Sequence, residues 1–228
     1  MKKIITTVFI VLVALTANAQ RNVEKSVRVS NGQDLFIHFK FAHSITVKQW
    51  NKNTIEVKAS VVIDNNKGNK DYSLKTSTSD GVLKIYSDFG GYLKRKGSWN
   101  NNNKMELNYV VYVPKNATLK VKSISGSLEI DQYTGNLTTD LISGDITIKK
   151  YSGEMRLKTI SGDVDVVVRK AKIIAKTVTG TIYSNLDMDT NFSENKSYSS
   201  RIRGTVNNGN VELKMTTVSG NIYMRKAK

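Results

Sequence analysis

Several short motifs in this chain have the residue types of a reactive or ligating site. Ser125-Gly126, Ser143-Gly144, Ser161-Gly162 and Ser219-Gly220 each place a hydroxyl before glycine, as a nucleophile elbow does. That chemistry needs the complete Gly-x-Ser-x-Gly turn and a histidine base, and none of the four has the full pattern. Near-copies of one nucleophile serve no catalytic purpose, so these serines read as turn residues. Gly144-Asp145 and Gly162-Asp163 resemble a step of the calcium-binding nonapeptide repeats, where carboxylates from successive turns converge on each ion. The equivalent positions here hold Ser127, Thr181 and Asn221, which reads as a small polar ladder rather than a metal site. His38 falls on the outward parity of the Leu35–Phe41 alternation and His43 in the following turn, so both read as surface residues. Sites of the polysaccharide-lyase kind gather acids and bases on one face of neighbouring coils, and Lys122, Asp140, Lys158 and Lys176 form such a column. Opposite charges at ladder spacing stabilise stacked strands without any substrate.

The best binding candidate is the stretch Ser87 to Lys104. It combines Phe89, Tyr92 and Trp99 with Lys94, Arg95, Lys96 and Lys104, and Gly90, Gly91 and Gly97 give it mobility. Aromatic faces beside cations suit sugar rings and acidic groups. The competing reading is a solvated excursion. No catalytic residue, metal ligand or cofactor is assigned, and the protein is expected not to be an enzyme.

What would position such residues follows from composition and period. The chain has 228 residues, with 35 Lys+Arg against 19 Asp+Glu, no Cys and one Pro. The absence of cysteine excludes disulfide frameworks, thiolate metal sites and thiol catalysis. Residues 1–19 read as a secretory signal: Lys2 and Lys3, an apolar run from Ile4 to Leu15, and an Ala17-Asn18-Ala19 cleavage site. Cleavage leaves 20–228, with 33 basic against 19 acidic side chains and a net charge of +14. The expected location is the periplasm or outer surface of a bacterium, with no transmembrane segment in the mature chain. The charge favours anionic partners such as acidic glycan or lipopolysaccharide. Solubility and the blunting of strand edges explain it without any ligand. With Lys94-Arg95-Lys96 as the densest basic cluster, dedicated nucleic-acid binding is not expected.

Gly126, Gly144, Gly162 and Gly180 recur every 18 residues, and Gly220 repeats the motif 40 residues later. Aligned on them, one column reads Leu119, Leu137, Met155, Ile173, Leu213. A second reads Ile124, Ile142, Ile160, Val178, Val218, and a third Leu128, Ile146, Val164, Ile182, Ile222. The period predicts an all-β fold, a single-stranded β-solenoid with 18-residue coils, and the Ile124 and Leu128 columns are both expected to be buried. An antiparallel β-meander with Ser-Gly hairpin turns is the alternative. A single elongated domain would span 20–228, with irregular initial coils over 20–114 and regular ones over 115–228. An insertion falls around 187–204.

Four features carry a family resemblance. They are Ile45-Thr46-Val47-Lys48-Gln49-Trp50, the Val113-Pro114 entry to the coils, the recurrent Ile-Ser-Gly-Asp, and the ending Thr217-Val218-Ser219-Gly220-Asn221-Ile222-Tyr223. Together they resemble secreted candidate-adhesin families of β-strand-repeat proteins, grouped as domains of unknown function. That resemblance implies a β-helical solenoid, mostly right-handed, and carries over no binding or catalytic residue. The functional expectation is an exported interaction module of the cell envelope or surface, binding an anionic glycan, lipopolysaccharide or another surface protein. A carbohydrate-active enzyme on a β-helix scaffold and a structural envelope protein without a discrete ligand are the alternatives.

Overall fold

Alternation of apolar and polar residues with period two turns most of this chain into strands. The computed structural model describes residues 20–95, 104–196 and 199–227, with 94, 95 and 191–196 traced as backbone. The first half contains β1 (Arg21–Arg28), β2 (Asp34–Phe39), β3 (Ser44–Trp50), β4 (Thr54–Ile63), β5 (Ser73–Ser79), β6 (Val82–Asp88), a short helix α1 (Tyr92–Arg95) and β7 (Met105–Pro114). Then come β8 (Leu119–Ser123), β9 (Ser127–Ile130), β10 (Leu137–Ser143), β11 (Ile146–Ile148), β12 (Met155–Ser161), β13 (Val164–Val168), β14 (Ala171–Thr177) and β15 (Ile182–Ser184). The chain ends with β16 (Asp189–Lys196), β17 (Ser199–Val206), β18 (Glu212–Thr216) and β19 (Ile222–Lys226).

The 18-residue period sets parallel register. Leu119, Leu137 and Met155 lie side by side, as do Leu128, Ile146 and Val164. The single-stranded solenoid is nevertheless overturned, because the strands form two mixed sheets. The first runs β1-β4-β7-β3-β9-β11-β13-β19-β15, the second β16-β17-β14-β18-β12-β10-β8-β2-β6-β5. Antiparallel pairs join β1 to β4, β4 to β7, β5 to β6, β14 to β17 and β16 to β17. Local turn chemistry accounts for one reversal: Asp80 and Gly81, with φ of 51° and 75°, close a two-residue hairpin between β5 and β6. The antiparallel meander fails as well, since β8, β10 and β12 pair in parallel. Sequential stacking also breaks. β18 pairs with β12 on one side and β14 on the other, and β19 sits between β13 and β15. The stretch around 187–204 holds β16 and most of β17, which runs along β14.

Inward side chains of both sheets merge into one core that runs from Leu35 to Met224. The Leu119 and Leu128 columns belong to it, Ile182 only at its margin. The Ile124 column does not: Ile124, Ile142 and Ile160 are 38%, 45% and 41% exposed and Val218 is 41% exposed. Parity is the reason. Leu119, Val121 and Ser123 point inward on β8, so the next residue, Ile124, turns outward. Among the described residues, no helix is long and apolar enough to cross a membrane.

Candidate functional site

Strand register brings the outward residues of the ten-stranded sheet into rows across its face. One row reads Lys84, Phe36, Lys120, Thr138, Arg156, Lys214, Ile174, Arg203 from β6 to β17. The next, two residues along each strand, reads Tyr86, His38, Lys122, Asp140, Lys158, Thr216, Lys176, Arg201. Asp140 is the carboxylate of these rows, 3.8 Å from Lys122 Nζ and 3.4 Å from Lys158 Nζ. At one margin Glu212 approaches Arg156 at 3.7 Å. A shallow depression of about 400 Å³ opens between Lys120, Thr138, Asp140, Arg156, Lys158 and Lys214.

The outer face of the nine-stranded sheet contrasts with this. There Lys58 lies within 3.4 Å of Glu24 and 3.3 Å of Glu56. Lys149 meets Asp131 at 2.7 Å, and Arg225 is held by both carboxylate oxygens of Asp165 at 2.7–2.9 Å. Its cations are locally balanced, whereas those of the ten-stranded sheet outnumber their carboxylates.

An aromatic platform sits at one end of the cationic face. The rings of Phe36 and His38 lie parallel with centroids 6.1 Å apart. Lys84 Nζ is 5.3 Å from the centre of Phe36 and 5.2 Å from that of Tyr86, and Lys120 Nζ is 5.4 Å from Phe36. Rings with ammonium groups over their faces hold those cations in place. Partial burial lowers the His38 pKa from its ordinary value, and the positive charges of Lys84, Lys122 and Lys40 lower it further. The surface position expected for His38 is correct, and the expected charge column is met in part. Lys122, Asp140 and Lys158 adjoin, but Thr216 of the last coil separates Lys158 from Lys176.

Phe89 and Tyr92, read as ligand-binding aromatics, are core residues, 2% and 7% exposed. Phe89 packs edge-on against Phe41 and Tyr72, with centroids 5.7 and 5.4 Å apart. The Tyr92 ring closes over Gly68, where a Cβ would come within 2.8 Å of it. Lys96 and Trp99 lie outside the described residues, as do the side chains of Lys94 and Arg95. Phe36, Lys84, Lys120 and Lys214 escaped the sequence reading. Their signal was outward parity shared across coils, legible once the register is known.

The repeated turns form the expected polar ladder. Asp145 N donates to Ser127 Oγ at 3.2 Å, Asp163 N to Asp145 Oδ1 at 2.8 Å, Asn221 N to Asp163 Oδ1 at 2.6 Å and Thr181 N to Asn221 Oδ1 at 3.0 Å. Just inside it, the hydroxyls of Thr159, Thr217 and Thr177 donate to the carbonyls of Gly144, Gly162 and Gly220. Among the described residues, no three His, Asp or Glu gather as metal ligands.

Two overlapping stretches, residues 32–166 and 115–225, match one family description. The chain belongs to the Toastrack DUF4097 family. A candidate cell adhesion protein of Clostridium sporogenes shares the fold of this Toastrack chain, with a TM-score of 0.60 at 11% identity over 92% of this chain and 100% of that one. A candidate adhesin of Bacteroides fragilis matches at 11% identity over 92% and 99% of the two chains, with a TM-score of 0.27. A candidate lipid-binding protein of Parabacteroides distasonis, also at 11% identity, covers 91% and 97% with a TM-score of 0.23. The last two similarities are too low to bear on the fold. A comparison with curated proteins finds no match.

Proposed function

We propose that the protein is an exported, non-enzymatic interaction module of the bacterial cell envelope or surface. It engages anionic envelope components through the outer face of the ten-stranded sheet. The observation that carries this reading is the one-sided distribution of charge. A general need for solubility is met by interspersed charges of both signs, as on the nine-stranded sheet, where Lys58, Lys149 and Arg225 have carboxylate partners. Rows containing Lys84, Lys120, Arg156, Lys214, Lys122, Lys158 and Lys176 around Asp140 instead build a positive field that draws in a polyanion. The name of the Clostridium sporogenes protein, a candidate cell adhesion protein of the same fold, accords with a surface role.

The test is binding of residues 20–228 to an acidic polysaccharide such as polygalacturonate over a salt series. Binding should weaken steeply as ionic strength shortens the screening length to ~8–10 Å. Lys120→Glu with Lys214→Glu should lower affinity by about tenfold or more, since each reversal replaces attraction by repulsion. Lys58→Glu with Lys149→Glu on the opposite sheet should leave it nearly unchanged. Equal loss from both pairs, or binding indifferent to salt, overturns the assignment to this face. A further pair, Lys94→Glu with Lys96→Glu, asks whether the segment after β6 extends it.

A further inference from the structure

Beside the two cationic rows, on the same face, runs the exposed aliphatic column. Ser143 N donates to the Ile124 carbonyl, and Ser143 pairs with Ser161, which places Ile124, Ile142 and Ile160 side by side. Bridges from Ser161 and Thr179 to Ser219 add Val218 and the half-buried Val178. Five aliphatic side chains at strand spacing make a ridge about 19 Å long. It stands two residues, about 7 Å, from the Lys122–Asp140–Lys158 row. A ridge of this kind contributes nothing to holding a hydrophilic polymer, and contiguous exposed apolar surface marks an interaction site.

Resting on the cationic-face reading above, we infer that its partner is the surface of an anionic lipid bilayer. Lysines and arginines of the rows lie at the level of the headgroups, and the Ile142–Ile160 ridge enters the acyl boundary. The charge and the apolar strip share one face, as an interfacial element requires, and because the ridge lies at the strand ends, a tilt of the sheet toward that end sets it deeper than the charged rows. Ser125, Ser143, Ser161 and Ser219, next along the turns, supply small hydroxyls that do not hinder the approach.

The experiment uses residues 20–228 with phosphatidylglycerol vesicles, phosphatidylcholine vesicles and soluble polygalacturonate. Partition to the anionic vesicles is expected, and to the zwitterionic ones not. Ile142→Ser with Ile160→Ser should weaken vesicle partition about tenfold and leave polygalacturonate binding intact, because only the lipid contacts the ridge. Ile142→Trp should strengthen partition, and its added fluorescence should shift to the blue when anionic vesicles are mixed in. That gain-of-function arm stays informative if the double serine variant is poorly folded. Unchanged partition for the serine pair, or an Ile142→Trp emission that does not move, overturns the lipid inference. Binding to polygalacturonate alone would do the same while leaving the cationic-face reading in place. Loss of all binding in Lys120→Glu with Lys214→Glu tests the charged rows, not the ridge.

Discussion

His38 is the residue whose chemistry most directly reports the state of the cationic face. Burial and the charges of Lys84, Lys122 and Lys40 disfavour its imidazolium. Its folded pKa therefore lies below the 6.5 of the unfolded chain, and the unfolded chain binds more protons in the window between the two values. The stability contribution is present above pH 6.5 and is lost as the pH falls through the folded pKa. An NMR titration should show His38 titrating below 6.5, and Lys84→Ala should raise its pKa. A bound polyanion should raise it too, so ligand binding should strengthen as the pH falls; an unmoved His38 titration would remove the platform from the site. Ile160→Ala illustrates how outward parity changes an energetic expectation. Deleting a buried isoleucine costs ~2–5 kcal/mol. Ile160 is 41% exposed, so thermal melts should show a loss under ~1 kcal/mol. Leu157→Ala, three residues earlier on the same strand, pointing inward and 1% exposed, should show the larger cost, ~2–5 kcal/mol. Gly162→Ala belongs with the severe changes. Its φ is 153°, and a Cβ there would press on the Gly144 carbonyl, so the coils could not keep their spacing.

At the scale of elements, the turn ladder and the strand ladders do different jobs. Side-chain acceptors at Ser127, Asp145, Asp163 and Asn221 take the backbone donors that strand pairing leaves over at the corner. Asp163→Ala should leave Asn221 N without its acceptor at a cost of about 1–3 kcal/mol, read from denaturant melts, whereas Asp163→Asn should restore most of it. The 18-residue period made parallel register and the Leu119 and Leu128 columns legible, because inward aliphatic residues at fixed spacing admit few arrangements. It misassigned the Ile124 column, where aliphatic character was taken as burial although counting in twos from Leu119 points that column outward. The turns at Asn51-Lys52-Asn53 and Ser79-Asp80-Gly81 follow from the turn-forming residues they contain. Strand β1 was not legible, because outward Glu24 and Arg28, together with Arg21 and Lys25 on the inward parity, interrupt the Val23–Val27 alternation. The aromatic run after β6 looked like a ligand-binding loop since Phe89 and Tyr92 lack a periodic context; what buries them is the long-range contact with Phe41, Tyr72 and Gly68. The cationic face was invisible for a related reason: Lys84 and Lys214 become neighbours of Phe36 and Arg156 only through pairing.

For the whole molecule, the position of the last coil dominates. Because β18 fills the place between β12 and β14, and β19 that between β13 and β15, neither β14 nor β15 rests on the coil that precedes it in sequence. Truncation before Val211 should therefore do more than remove a terminal coil. It should release residues 171–206 from the rest of the sheet, visible as a loss of cooperativity in melting and as rapid hydrogen exchange along β14 and β17. The same arrangement makes the chain a two-piece kit. In each sheet a truncated protein presents two facing strand edges with room for one strand between them, and a separate peptide of residues 209–228 has the complementary register for both. Mixing the two should restore the fold, as in fragment complementation. During synthesis the segment that locks the sheet emerges after β14–β17, so the β14–β17 unit waits for it before it is secured. In that interval a tail from a neighbouring molecule fits the same opening, and exchanged dimers are the expected by-product of folding at high concentration.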